Sequence, residues 1–153
     1  MRPVGWEDLA DLVALKGDPR VFAVMLGGVR TPVQVAEELA AEIAFWGARG
    51  FGMWAVRGAE GFLGYVGLHE RADGRGIALR FAFVAGAQGR GYASEAGGAA
   101  LRFGHDRGGL ARIVAVARAS NVASRQVLGA IGMTESAAFD RDGERMLEYH
   151  SVR

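Results

Sequence analysis

The chain has 153 residues, half of them hydrophobic, and its 18 basic and 17 acidic side chains leave a formal net charge of +1. That length suits one domain with a core of its own, and arginines scattered along the chain argue against a nucleic acid as partner. The absence of cysteine excludes disulfides, thiolate nucleophiles and cysteine zinc sites, while the lack of a long apolar run or signal peptide points to a cytoplasmic protein with no membrane partner.

Met1–Val4 reads as a short opening strand. Trp6–Lys16 is apolar at Trp6, Leu9, Leu12, Val13 and Leu15, with Glu7, Asp8 and Asp11 early. This predicts an amphipathic helix whose acidic residues sit near its positive end. Gly17 ends it. Asp18-Pro19 then supplies an N-cap and a proline at N1, which predicts one short helical turn over Arg20–Met25. Leu26–Arg30 is a loop. Thr31-Pro32-Val33-Gln34 carries a full helix start, with threonine as N-cap, proline at N1 and glutamine at N3 as a capping box. The helix is expected to run to Ala48, with Val35, Leu39, Ile43 and Trp46 inward and Gly50 closing it. Phe51–Arg57 and Gly61–His69 read as a hairpin around Gly58-Ala59-Glu60, and Arg71–Gly76 as a further turn.

The next stretch organises the chain. Ile77, Leu79, Phe81 and Phe83 alternate with smaller residues, which predicts a strand over Ile77–Ala85. A turn of small residues follows at Ala85–Gly91. From Tyr92 the apolar period becomes helical, with Ala93, Ala96, Ala100 and Phe103 at three- and four-residue steps. A strand, a glycine turn and a helix start together bind anions, because the first helical N–H groups point outward and the helix dipole adds positive potential. Gly89 and Gly91 let the backbone approach a phosphate without a Cβ between, and Ala93 keeps the first turn slim.

Ala111–Ala117 is a continuous apolar run of strand length, expected to be buried. Ser120 or Asn121 caps a helix over Val122–Ile131, with Gly132 at C′. Met133–Phe139 and Arg145–Ser151 form a last hairpin around Asp140–Gly143. The order is a strand, two helices, three strands, a helix, a strand, a helix and two strands, which is α/β of mixed type.

Gln88-Gly89-Arg90-Gly91-Tyr92-Ala93 fits the pattern Q/R-x-x-G-x-G/A at Gln88, Gly91 and Ala93. It resembles the acetyl-coenzyme A pyrophosphate loop of GNAT acetyltransferases, and the longer run G-R-G-Y-A-S-E-A resembles the ribosomal-protein-alanine acetyltransferase branch. A second match lies at Asn121-Val122-Ala123-Ser124, an N-x-x-S pair followed by Val127, Leu128, Gly132 and Met133. The order of elements agrees as well, so the resemblance covers nearly the whole chain. It implies a GNAT-like fold with a central mixed, mostly antiparallel sheet. A V-shaped splay would separate the strands at 77–85 and 111–117, with helices on both faces.

The resemblance further implies an enzyme that moves an acetyl group from acetyl-CoA directly to a primary amine. The amine would belong to a protein N-terminus or a small molecule, no metal would be needed, and a homodimer is one assembly left open. The cosubstrate would contact Phe83, Val84, Gln88, Gly89, Arg90, Gly91, Tyr92, Ala93, Ser94, Asn121 and Ser124. Backbone groups near Phe83 and Val84 would pair with the pantetheine arm, and so would the Asn121 amide. Ser124 would lie near the sulfur and donate a proton to the departing thiolate.

The plainer readings of these residues stand beside the functional ones. Asn121 also serves as a helix cap, Ser124 as a locally bonded hydroxyl, Glu95 as a dipole partner and Arg90 as an exposed loop arginine. His69, His105 and His150 have no metal-ligand spacing. Trp46, Phe51 and Trp54 are most simply core. The general base is open. Ala78 stands where many relatives carry an acid, leaving Glu70, His69, Glu135 and Glu148 as candidates, none set apart by its chemistry, with a water relay as an alternative; Glu70 is the one named for catalysis. Two competing functions follow: an acyl-CoA-binding module with little or no turnover, and a dinucleotide-binding oxidoreductase built on Gly89-x-Gly91. The second is weakened by Ser94 in place of the third glycine.

Overall fold

The computed structural model describes residues 1–153. Seven strands form one sheet. They are β1 (Arg2–Pro3), β2 (Met53–Gly58), β3 (Gly61–Glu70), β4 (Ile77–Phe83), β5 (Arg112–Arg118), β6 (Thr134–Arg141) and β7 (Glu144–Val152). Their order across the sheet is β1-β2-β3-β4-β5-β7-β6. Every neighbouring pair is antiparallel except β4 and β5, which run parallel. That pair touches in register only at Ala78 and Val114. Beyond this point the two strands part and leave a wedge open toward their C-terminal ends, so the expected splay is present.

The period-two alternation of the strands divides the core between the two faces of the sheet. One face carries Trp54, Val66, Leu68, Leu79 and Phe83 against Ala96, Ala100 and Leu101 of α4 (Tyr92–Asp106). The other carries Met53, Ala55, Tyr65 and Ala82. Those residues pack on Leu12 and Leu15 of α1 (Leu9–Lys16), Phe22 of α2 (Pro19–Phe22) and Val35 and Leu39 of α3 (Pro32–Arg49). The last helix, α5 (Val122–Ala130), buries Leu128 beside α4. A methyl at Gly104 would approach Ile113 and Leu68 to 2.7 Å, so glycine there sets how closely α4 lies on the sheet.

The helix starts form as the residue types dictate. Thr31 accepts from the Gln34 N–H and the Gln34 side chain accepts from the Thr31 N–H, closing the capping box, and Gly50 ends α3 at φ 69°. Asp18 accepts from the Arg20 N–H, with Pro19 at the first position of α2. The sequence pattern differs from the structure in three places. Trp6–Asp8 is a separate 3-10 turn before α1, because the buried Asp8 carboxylate takes the Gly5 N–H together with Arg2 and Arg57. α2 is shorter than the expected turn, ending at Phe22. β4 stops at Phe83; the Val84 N–H still bonds the Leu63 carbonyl, and Ala85–Ala87 then make a 3-10 turn.

Candidate functional site

The turn after β4 presents a row of unused donors. Gly89 and Gly91 have φ values of 73° and 82°, a region that L side chains enter only with strain. These conformations aim the N–H groups of Gly89, Arg90, Gly91, Tyr92, Ala93 and Ser94 away from the chain's own carbonyls. None of them has a partner within the protein, and the first bond of the new helix runs from the Glu95 N–H to the Gly91 carbonyl, 3.0 Å away. Gly91 is the N-cap and offers no side chain to satisfy the row. A methyl at Gly89 or Gly91 would meet nothing within 4 Å, so the space in front of the row is open. Free donors, a helix dipole and open space make a seat for an anion.

This seat opens into a cavity of about 490 Å³. Gln88, Gly89, Gly91, Tyr92, Ala93 and Ser94 line one end; Phe81 and Phe83 of β4 and Asn121, Ser124 and Val127 of α5 line the other. The end of β4, Phe81–Phe83, forms one wall of it. The Val84 N–H donates to the Leu63 carbonyl across β3, so by strand alternation Phe81 and Phe83 turn their N–H and C=O groups toward the wedge. The Phe83 carbonyl already accepts from the Gln88 amide at 3.1 Å. Asn121 accepts from the Ser124 N–H at 3.1 Å and so caps α5 through its oxygen. That leaves its NH₂ group and the Ser124 hydroxyl without a partner in the chain.

A second, smaller cavity of about 80 Å³ lies in the wedge itself, between Leu79–Phe81 of β4 and Ala115–Arg118 of β5. Val24, Met25, Phe81, Asn121 and Ser124 line both cavities, so the two meet at the tip of α5. Phe22, Met25 and Leu26 give the smaller one an apolar wall, while Tyr65, His69 and four arginines (Arg30, Arg71, Arg80 and Arg118) supply its polar surface. No aspartate or glutamate lines either cavity.

Beneath this pocket lies a buried charge cluster. Lys16 is fully buried, 2.8 Å from Glu38 and 3.5 Å from Glu42, with its ammonium over the Tyr65 ring at 4.8 Å. Burial works against the lysine's charge, but Tyr65 and the two glutamates outweigh it and hold its pKa above the usual value. Burial pushes Glu42 up. Burial and the neighbouring Arg80 charge depress the His69 imidazole to about 3, so it is neutral at physiological pH.

The sequence-derived site residues therefore fall into groups. Phe83, Gln88, Gly89, Gly91, Tyr92, Ala93, Ser94, Asn121 and Ser124 gather around the larger cavity. Arg90 is exposed and does not line it, its guanidinium 5.3 Å from the Tyr92 ring centre. Val84 needs correcting. Both its backbone groups are in use, the N–H on Leu63 and the carbonyl by the Ala87 N–H, so the strand's available groups belong to Phe81 and Phe83. Glu70 lies outside both cavities, exposed at the end of β3 with its carboxylate 3.1 Å from Arg49. His105 is structural, its two ring nitrogens placed on the Leu110 carbonyl and the Ser151 hydroxyl. Sequence reasoning missed Arg80 and Tyr65. The signal available was a lone arginine inside the apolar strand I-A-L-R-F-A-F.

Residues 1–134 match the family model described as an acetyltransferase (GNAT) domain. No curated protein sequence matches the chain. Among solved structures, a GNAT-family acetyltransferase from Bacillus anthracis superimposes with a TM-score of 0.83 at 22% identity, covering 99% of this chain and 92% of that one. An acetyltransferase from Agrobacterium tumefaciens gives 0.86 at 24%, covering 99% and 89%. A spermidine N-acetyltransferase from Vibrio cholerae, solved with CoA and spermine, gives 0.79 at 16%, covering 99% and 93%.

Proposed function

Because the chain belongs to the GNAT acetyltransferase family, we propose that it transfers an acetyl group from acetyl-CoA directly to a primary amine. The observation that carries this reading is the continuity of one cavity. The unpartnered N–H groups of Gly89–Ser94 stand at one end, and Asn121 and Ser124 stand at the other.

The amides of Gly89–Ser94 seat the diphosphate, and the dipole of α4 favours its charge. The pantetheine arm lies in the wedge as an added strand, pairing with the backbone of Phe83 and with the free Asn121 amide. This requires the Gln88 amide to release the Phe83 carbonyl or to share it. The thioester then lies at the junction of the two cavities, where the Phe81 N–H faces the carbonyl oxygen and stabilises the charge that develops there. A neutral amine in the smaller cavity attacks the carbonyl carbon. The new C–N bond forms, the C–S bond breaks, and the sulfur takes a proton from the Ser124 hydroxyl, which regains one from water. The amine's own proton leaves to water, since no carboxylate lines the pocket. Arg80 and the buried Lys16 disfavour a second positive charge there and so keep the amine deprotonated.

A protein N-terminus of the kind suggested by the G-R-G-Y-A-S-E-A run and a small-molecule amine both fit this chemistry. The absence of a carboxylate also favours a second reading, an acyl-CoA-binding module with little turnover. Thiol release from acetyl-CoA with a panel of amines, together with calorimetry for CoA and NAD, separates them. Acetyl transfer with CoA binding and no NAD binding is expected. CoA binding with no transfer to any amine leaves the binding module, and NAD binding without CoA binding overturns both.

A further inference from the structure

The arginines around the smaller cavity are not equivalent. Arg30 is bound by Glu38 at 2.6 Å and by the Leu26 and Gly28 carbonyls. Arg71 is clamped by both oxygens of Asp73. Arg118 donates to Glu144 at 2.8 Å. Lys16, behind them, holds Glu38 and Glu42. Arg80 makes no ion pair with a carboxylate; burial works against its charge, but Tyr65, Glu42 and Glu38 nearby outweigh it and keep the guanidinium charged. Arg80 stands opposite Gly67 on β3, where no side chain competes for the space. The Nε of Arg118 is also buried and without a partner. Arg80 therefore lines the pocket as a partly exposed guanidinium whose donors no carboxylate takes, free to bind an anionic group of a ligand.

We propose that the acceptor is a small primary amine bearing its own anionic group, a carboxylate or a phosphonate-type oxyanion, which Arg80 binds with help from the Arg118 Nε. This rests on the acetyl-transfer reading. The geometry sets the rest of the molecule. The anion sits at Arg80, the amine points to the junction at Asn121 and Ser124, and a short apolar side chain meets Phe22, Met25 and Leu26. A polyamine such as the spermine bound by the Vibrio cholerae protein would bring several positive charges to a pocket with arginines and no acid.

The test uses the whole chain with leucine, leucinamide, 3-methylbutylamine, 2-aminoethylphosphonate and spermidine. Acetyl transfer is measured with acetyl-CoA, and binding to the CoA-loaded protein by calorimetry. The amine of leucinamide is the less basic, so chemistry alone favours it over leucine; a preference for leucine reports the carboxylate. We expect kcat/KM for leucine or 2-aminoethylphosphonate to exceed that for leucinamide and spermidine by about 10-fold or more. Arg80→Met should erase that preference, raising KM for leucine and the phosphonate about 10-fold or more relative to leucinamide, while leaving CoA affinity within about 3-fold. Arg80→Lys should restore part of it. Which anion is preferred separates carboxylate from phosphonate. Spermidine or leucinamide as the best acceptor overturns the proposal, as does an unchanged preference in Arg80→Met. If no amine is acetylated but leucine or the phosphonate binds in an Arg80-dependent way, the transfer reading fails and the anion seat stands. If neither anion binds, the seat itself is refuted.

Discussion

Replacing Gly91 with alanine separates the cradle's two demands, the conformation of the turn and the space in front of it. At φ 82° an alanine pays the left-handed penalty of about 1–2 kcal/mol. For a chain of this size that lowers the melting temperature by roughly 2–8 °C. The added methyl meets no protein atom within 4 Å, so nothing else in the fold suffers; it projects into space that borders the anion seat. There it holds a diphosphate off at least one backbone donor. A hydrogen bond to a charged group contributes about 1.5–3 kcal/mol, so CoA affinity should fall about 10- to 100-fold. Calorimetry with CoA and with pantetheine, which has no diphosphate, isolates the effect: Gly91→Ala should weaken the first and leave the second within about 2-fold. Thermal unfolding run alongside measures the strain. An unchanged CoA affinity in a folded Gly91→Ala protein, or an equal loss for pantetheine, would mean that the diphosphate does not sit on these amides.

If Ser124 protonates the leaving sulfur as proposed, Ser124→Ala should cut kcat about 10- to 100-fold with little change in CoA affinity; a smaller loss with acetyl thioesters of lower-pKa thiols would support that role. Glu70→Gln should leave the pH–rate profile unchanged, since the carboxylate sits on Arg49 outside both cavities; a lost basic limb would restore it as the base. The His69 imidazole titrates near 3 in the folded chain against 6.5 in the unfolded one. Between those values only the unfolded state binds the proton, so stability falls as pH is lowered through that window. Urea midpoints of wild type and His69→Asn, compared from pH 7 to 4, should converge as acid is added; parallel curves would refute the burial and Arg80 argument.

The fold was legible because its signals are local and redundant. The Thr31 capping box, the Asp18-Pro19 start, the Gly50 stop and the alternation of Ile77–Phe83 each name an element without reference to the rest of the chain. The cradle was legible for the same reason, since Gly89 and Gly91 are needed by the turn itself. Val84 was misassigned because which backbone groups a strand leaves free depends on its partner's register, here the bond to Leu63. Trp6–Asp8 was merged with α1 because the buried Asp8 network joins β1, β2 and the turn, contacts that no sequence window contains. The same holds for the charges under the pocket. Lys16, Glu38, Tyr65 and Arg80 come from four elements, and only the packed chain shows which carboxylates are already taken.

That distribution of charge bears on how the proposed transfer would handle the amine's proton without a cavity-lining carboxylate. A base serves to remove a proton from an ammonium that would otherwise dominate at neutral pH. A pocket lined by Arg80 and by no carboxylate achieves part of this by raising the cost of the ammonium form. His69 cannot oppose that effect by drawing the amine's proton, since Arg80 and burial leave it a very weak base. The pairing of Glu38 and Glu42 with Lys16 and Arg30 keeps the nearest acids from stabilising the ammonium. An acceptor that brings its own anion then sets it on Arg80 at one end, while its amine is held apart at the junction, where no carboxylate lines the cavity to favour the ammonium form. On this account the pH–rate profile should follow the acceptor's own amine pKa from one substrate to the next. A residue acting as base would instead fix a single limb common to all of them.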